Sequence, residues 1–356
     1  MPKQFDRVIN RTTTSSQKWE KYANQDILPM WVADTDFMAP PGVIDALRQR
    51  VDHGIFGYTT TPTALNEAVT KRLQKMYGWR TTHDDLVWLP GLVCGLNLAC
   101  RAVGSAGDEV VAPSPIYPPF FSSPRLSERG LIKLALKTDE QGRASFDLEA
   151  LEASLTPTTK LLLFCNPHNP GGTVYRREEL QALADIVIKH DLIICSDEIH
   201  CDLILDPDLT HTPIAALGEE IAQRTITLMA PSKTFNIAGL ACSFAVIQNP
   251  DLRKRFLRVM KGIVPDVNLL GYTAALAAYE AGDDWNEKQL TYLRGNRDFL
   301  MAEINRIPGL SLAPIEATYL AWINVSGAKL DNPPQFFESA GVGMSPGRDF
   351  GDDRFM

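Results

Sequence analysis

The sequence predicts an α/β fold: a large domain with a mainly parallel sheet sandwiched by helices, plus a smaller α+β domain. Two observations carry that expectation. Short, continuous apolar runs alternate with stretches of helical periodicity, which is the pattern of strands buried on both faces. In addition Tyr117, Asn169, Asp197 and Lys233 each follow one of those runs. Open α/β sheets bind ligands beyond the carboxyl ends of their strands. At 356 residues the chain is too long for one small core, so two domains are expected.

Taken in order, residues 1–45 read as an arm packed on the small domain. Trp31, Val32 and Phe37 are costly to leave in water, yet prolines and paired acids break any regular period. Pro41 opens a helix with Val43, Ile44, Leu47 and Val51 on one face, and Gly54 ends it. A second helix spans Thr63 to Tyr77. Leu86–Leu89 is a strand, and Pro90-Gly91-Leu92-Val93 turns it into a helix reaching about Val103. Free N–H groups and the helix dipole make such a start a ready anion site.

The alternation then sets in. Strands are expected at Val110–Ala112, Ile132–Leu136, Lys160–Cys165, Leu192–Cys195, Thr225–Met229 and Phe244–Ile247. Helices lie between them near 147–155, 178–190 and 217–223, the first capped by Asp147. Pro115 to Pro119 reads as a turn. Helices follow at about 252–261, 269–281 and 285–306, then a strand over Tyr319–Val325 and a short helix near 335–339. The expected division is an arm 1–45, a large domain 46–284 and a small domain 285–356.

Composition narrows the function. A net charge of −8 argues against a nucleic-acid partner, which would show a basic face. The six cysteines form no C-x-x-C pair and sit mostly in apolar runs, so free thiols in a reducing cytoplasm are expected. The histidines show no H-E-x-x-H spacing, so no metal is expected. No apolar run approaches a membrane span, and no signal segment opens the chain; a soluble cytoplasmic protein is the expectation.

Lys233 stands just past an apolar strand, an expensive place for an ammonium without a task. One task is a Schiff base with pyridoxal 5′-phosphate. That cofactor needs an amine for its aldehyde, an acid for its ring nitrogen, a donor for its ring oxygen, and N–H or cationic groups for its phosphate. Lys233, Asp197, Asn169 and the helix start at Gly91 supply these in turn. Each has a plainer reading alone: Asp197 and Asn169 as turn formers, Tyr117 as a packing aromatic, Lys233 as a surface lysine.

The stretches Asn166-Pro167-His168-Asn169-Pro170-Gly171-Gly172, Ser196-Asp197-Glu198 and Ser232-Lys233-Thr234-Phe235 together resemble the fold-type-I aminotransferase superfamily over nearly the whole chain. The resemblance implies the PLP-dependent transferase fold and a homodimer with active sites at the subunit interface. It implies that Lys233 is the catalytic Schiff-base lysine, that Asp197 pairs with the pyridinium, and that Asn169 donates to the ring oxygen. Tyr117 would stack on the ring. Leu92 and Val93 would give backbone N–H groups to the phosphate, with Ser232 a further candidate, and Tyr58 would reach the neighbouring subunit's site.

Finer features resemble the MalY/PatB-type C–S lyases, the cystathionine β-lyases: Trp31 to Phe37, Asp197-Glu198-Ile199-His200, and Asn236 to Leu240. His200 stands where many aminotransferases carry a tyrosine near the ring oxygen, and Ala241 where they usually carry a phosphate-binding arginine. A satisfied loop histidine is the plainer alternative for His200. Ala33 falls at the substrate side. The implied reaction is α,β-elimination from cystathionine or another cysteine S-conjugate, giving pyruvate, ammonia and a thiol. An aminotransferase is the nearest rival, and a PLP-binding regulator a more distant one. The family's substrate-carboxylate arginine, in an R-L-N segment, is not met by Met356; neither Arg348 nor Arg354 matches it. A polypeptide ending at Met356 would be expected to bind substrate poorly and to expose an apolar patch.

Overall fold

The structure is a computed structural model that describes residues 3–356. Residues 1 and 2 of the expected arm lie outside them. Seven strands form the central sheet: β1 (Leu86–Leu89), β2 (Glu109–Ser114), β3 (Gly130–Ala135), β4 (Thr159–Cys165), β5 (Ile193–Asp197), β6 (Thr225–Met229) and β7 (Ser243–Val246). Their order across the sheet is β1-β7-β6-β5-β4-β2-β3. Only β7 runs antiparallel to its neighbours, β1 and β6. The other pairs are parallel.

Both faces of the sheet are buried because alternate residues feed two cores. Val110, Leu161, Leu163, Ile226 and Leu228 point to one, packed with Leu96 and Phe256 from the helices Leu92–Ala102 and Pro250–Met260. Val111, Leu162, Phe164 and Ile194 point to the other, packed with Leu180, Leu183 and Val187 of the helix Arg177–Lys189. Each such side chain contributes about 1.5–3 kcal/mol by leaving water. That double burial is why these strands read as unbroken apolar runs.

The expected elements recur within a few residues of their places. The helix Thr63–Tyr77 has both expected ends, and Gly78 closes it at φ +64°. Two expectations differ. The turn after β2 runs straight into a helix, Pro119–Leu126, whose first position a proline suits because that N–H has no intrahelical partner. Of the strand expected over 319–325, only 323–325 pairs, with Ser311–Leu312 on one side and with residues 354–356 on the other. The preceding residues are drawn elsewhere: Thr318 N–H donates to Leu203 O (2.8 Å), and the Tyr319 hydroxyl to Ala33 O (3.2 Å).

The arm adds a short parallel pairing, Leu28–Pro29 with Val342–Gly343. Tyr22 lies so close over Gly343 that a Cβ there would sit 2.2 Å from its ring. Arg11, Lys18 and Trp19 all donate to Asp36, at 2.8, 2.9 and 2.9 Å. Burial opposes the Asp36 charge, but these three donors hold its carboxyl below its ordinary range. We propose that the arm ends near residue 45, within the helix Pro41–Asp52, and that the small domain begins near residue 285, at the start of the helix Asp283–Ile304. All six cysteines are free. Among the described residues no helix is long and apolar enough to cross a membrane, and no cluster of metal-ligating side chains occurs.

Candidate active site

The sheet order brings the expected residues to one edge. Lys233 follows β6, Asp197 ends β5, Asn169 follows β4 and Tyr117 follows β2; these four strands are consecutive neighbours. The helix start at Leu92 and Val93 follows β1, two strands from β6 and pointing the same way. At ~4.8 Å per strand that is about 10 Å from the lysine, a cofactor's length rather than a contact. Gly91 precedes that helix in extended backbone, and a Cβ there would meet nothing within 4 Å, so space stands open before the free N–H groups.

Lys233 Nζ donates to Ala33 O at 2.6 Å. Burial lowers its proton affinity, with Asp34 and Asp197 pulling partly the other way. Burial pushes the Asp197 carboxyl up to about 7; Ile199 N–H opposes that, Glu198 adds to it, and Lys233 opposes it. The Ile199 N–H bond to Asp197 Oδ1 is 3.1 Å, a local turn that fixes the side chain. Burial, and then the charge of Asp197, raises the Tyr117 phenol.

His200 is buried and both of its ring nitrogens lack a partner among the described residues. Burial, and then Lys233, pushes it down to about 3, so the ring is neutral at physiological pH. The Asn169 Oδ1 is also buried without a partner among the described residues. Unpaired buried polar atoms are costly, and two such side chains following the neighbouring strands β4 and β5 point to a polar ligand as their partner. His168 holds two of the loops together: Gly171 N–H donates to its Nδ1 (3.2 Å), which leaves Nε2–H to donate to Pro115 O (3.0 Å). That bond ties the Asn169 loop to the Tyr117 loop.

Ser232 and Ala33 are half-buried at the same edge, and Ala241 closes the short helix Ala238–Leu240 at φ +50°. Tyr58 stands apart. It is fully exposed, with Ile55 and Phe56 exposed beside it.

Two residues sharpen the site beyond the sequence reading. Asn236, at φ +54°, donates from Nδ2 to Thr35 O (3.0 Å) and Phe37 O (2.7 Å), and accepts from Thr35 N–H (3.2 Å). It thereby pins the arm over the lysine. Its place three residues after Lys233 was the available signal. Tyr319, whose hydroxyl shares Ala33 O with Lys233, sets its ring edge-on to His200 at 6.0 Å. Nothing in its neighbourhood of the sequence points to that contact.

A family model, aminotransferase class I and II, matches residues 26–353. The chain is 35% identical to cystathionine beta-lyase PatB of Bacillus subtilis (strain 168), over 98% of this chain and 92% of PatB. Among solved structures it is similar to OvoB, at 52% identity and a TM-score of 0.96, covering 98% of this chain and 92% of that one. It is also similar to the PLP-bound C–S lyase of Staphylococcus hominis, at 31% identity and a TM-score of 0.90, with 98% and 91% covered.

Proposed function

The chain belongs to the aminotransferase class I and II family, and from that premise we propose that it is a pyridoxal-phosphate-dependent carbon–sulfur β-lyase acting on cystathionine or a related cysteine S-conjugate. The observation that carries the reading is the edge that unites Lys233, Asp197, Asn169 and Tyr117 in a chain this similar to a cystathionine beta-lyase. The orphaned His200 ring nitrogens, one of which carries a proton, fit the oxygen-bearing ring of that cofactor, and the open helix start fits its phosphate.

Bound there, the cofactor supplies an electron sink conjugated to the substrate's Cα. The rest is the work of this chain. Lys233 would hold the cofactor's aldehyde and give up that place to a substrate amine. Its freed amine would then accept the Cα proton as general base, a role that burial favours by lowering its proton affinity. Asp197 would face the ring nitrogen as a carboxylate and steady its proton. Asn169 Nδ2 and the neutral His200 would donate to the ring oxygen, Tyr117 would cover the ring face, and the Leu92 and Val93 amides with Ser232 would hold the phosphate. Ala33 would border the substrate. The Cβ–S bond breaks with its electron pair leaving on sulfur, and water releases pyruvate and ammonia from the three-carbon remainder.

Incubating the holo-protein with cystathionine should yield pyruvate and free thiol in equal amounts. Conversion of an amino acid and a 2-oxo acid without thiol would instead establish an aminotransferase. The regulatory reading requires a holo-protein that turns over no amino acid.

We also propose a homodimer. Val51, Ile55, Phe56 and Tyr58 form an exposed, largely apolar strip that a second copy would cover, placing Tyr58 at the neighbour's phosphate site. Sedimentation should give twice the mass of one 39.4 kDa chain; a single-chain mass at micromolar concentration would refute it. The six free thiols support a reducing compartment, the cytoplasm.

A further inference from the structure

Asp197 has a clear task, but the residue after it is buried more completely and has none assigned. The Glu198 side chain is 0% exposed and that of His211 1%. Glu198 Oε2 lies 2.7 Å from His211 Nε2. Its Oε1 accepts the Ser196 hydroxyl at 2.9 Å and Ile214 N–H at 3.4 Å. Three donors therefore converge on one carboxylate with no help from solvent. His211 Nδ1 is buried with no partner among the described residues. The ring proton belongs on Nε2, where it is donated to Glu198. Tyr77 packs edge-on against the imidazole at 5.4 Å.

The strap that carries His211 touches both halves of the site. Thr212 O accepts Asn166 Nδ2 at 3.4 Å, and Asn166 opens the loop that carries Asn169. Asn166 N–H in turn donates to Asp197 O at 3.0 Å, while Glu198 N–H donates to Leu228 O of β6 at 2.8 Å. The peptide between Asp197 and Glu198 is thus held by a loop on one side, a strand on the other, and the strap through the Glu198 side chain.

We propose that His211, acting through Glu198, is a positioning residue that fixes the Asp197 carboxylate against the cofactor ring nitrogen. The inference rests on the cofactor reading above. Glu198 cannot turn away without leaving its own oxygens and three donors unpaired in a dry interior, so its side chain is a rigid peg for the Asp197 backbone. Its carboxylate also lies beside Asp197; the other titratable groups around the pair are Lys233, Tyr117, Cys165, Cys195, Cys201, His211 and Tyr77. A fixed anion there strengthens retention of the ring-nitrogen proton opposite Asp197, which the elimination requires.

Three variants of the pyridoxal-phosphate-loaded protein test this: His211→Ala, His211→Gln and Glu198→Gln. In His211→Ala, kcat should fall about tenfold or more while KM stays within about twofold, the mark of a displaced site rather than a lost substrate contact. The pH at which the cofactor's visible band titrates should move down in His211→Ala, and in Glu198→Gln, where the anion is lost. Glutamine at 211 can place an amide N–H near the Nε2 position and should restore most of kcat. Variants that melt earlier but keep the parental titration and kcat would make the pair a structural peg only and overturn the proposal. So would equal losses in the alanine and glutamine variants. If His211→Ala does not fold, Glu198→Gln and His211→Gln decide by the same two readouts. Failure of the cofactor reading would look different, because the parent protein itself would then show no visible band.

Discussion

Replacing Lys233 with alanine should abolish the visible absorption band that the parent protein gains with pyridoxal phosphate, and should lower kcat at least about a thousandfold. Two roles vanish together: the amine that holds the aldehyde and the base that takes the Cα proton. Lys233→Met makes a second, independent reading available, because it keeps the buried stem but removes the charge. In the cofactor-free protein the lysine's proton affinity is lowered chiefly by burial. The folded state therefore binds fewer protons than the unfolded state over the range below the ordinary lysine value, and stability rises with pH through that range. At neutral pH and below, the cofactor-free protein carries that cost, and Lys233→Met removes it. The variant should melt higher than the parent without cofactor, yet be catalytically dead. A Lys233→Met protein that still forms the band and releases thiol would sink the assignment of Lys233.

How much of this could be read from the chain alone follows from how local each signal is. The strands of the sheet were legible because both faces are buried, so Thr225–Met229 and Leu86–Leu89 show as unbroken apolar runs with sharp ends. Tyr117, Asn169, Asp197 and Lys233 were legible as candidates because each closely follows or ends such a run, and sheet order then gathers them. Tyr319 was not legible. An extended segment alternates in the same way whether it pairs in a sheet or turns its phenol to a carbonyl 286 residues away. Nor was the partner of Glu198, since His211 lies 13 residues on, across a turn with no period. The arm showed its polarity but not its pairings: Arg11 and Asp34 meet across 23 residues of irregular chain. Prolines at 118 and 119 suggested a turn, whereas a proline also suits a helix's first residue; the code is degenerate at that point.

Asp197→Asn should separate stability from activity most cleanly. In the cofactor-free protein burial raises this carboxyl from 3.8 to about 7. Between those two values the folded state keeps a proton that the unfolded state has lost. The difference in bound protons, unfolded minus folded, is negative there, so stability falls as pH rises through the window and the loss is complete above about pH 7. For a fully buried group a displacement of that size corresponds to a cost on the order of 4 kcal/mol at alkaline pH. Asparagine has nearly the same shape and no charge. The cofactor-free variant should therefore come closest to the parent at pH 4 and below and outlast it at pH 8, in thermal melts of both. Adding pyridoxal phosphate should reverse the order, because the cationic ring nitrogen gives the parent's carboxylate the partner that burial denies it, while asparagine offers no compensating charge. Turnover in the variant should drop by about a hundredfold or more, since the ring can no longer hold its proton while Cα is deprotonated. Equal pH profiles for the two cofactor-free proteins would show that Asp197 is not the group strained at neutral pH. Full turnover in the variant would show that it does not face the ring nitrogen. The expected pattern, a site residue whose removal stabilises the empty fold and cripples the loaded one, is what a carboxylate buried for a cation should produce.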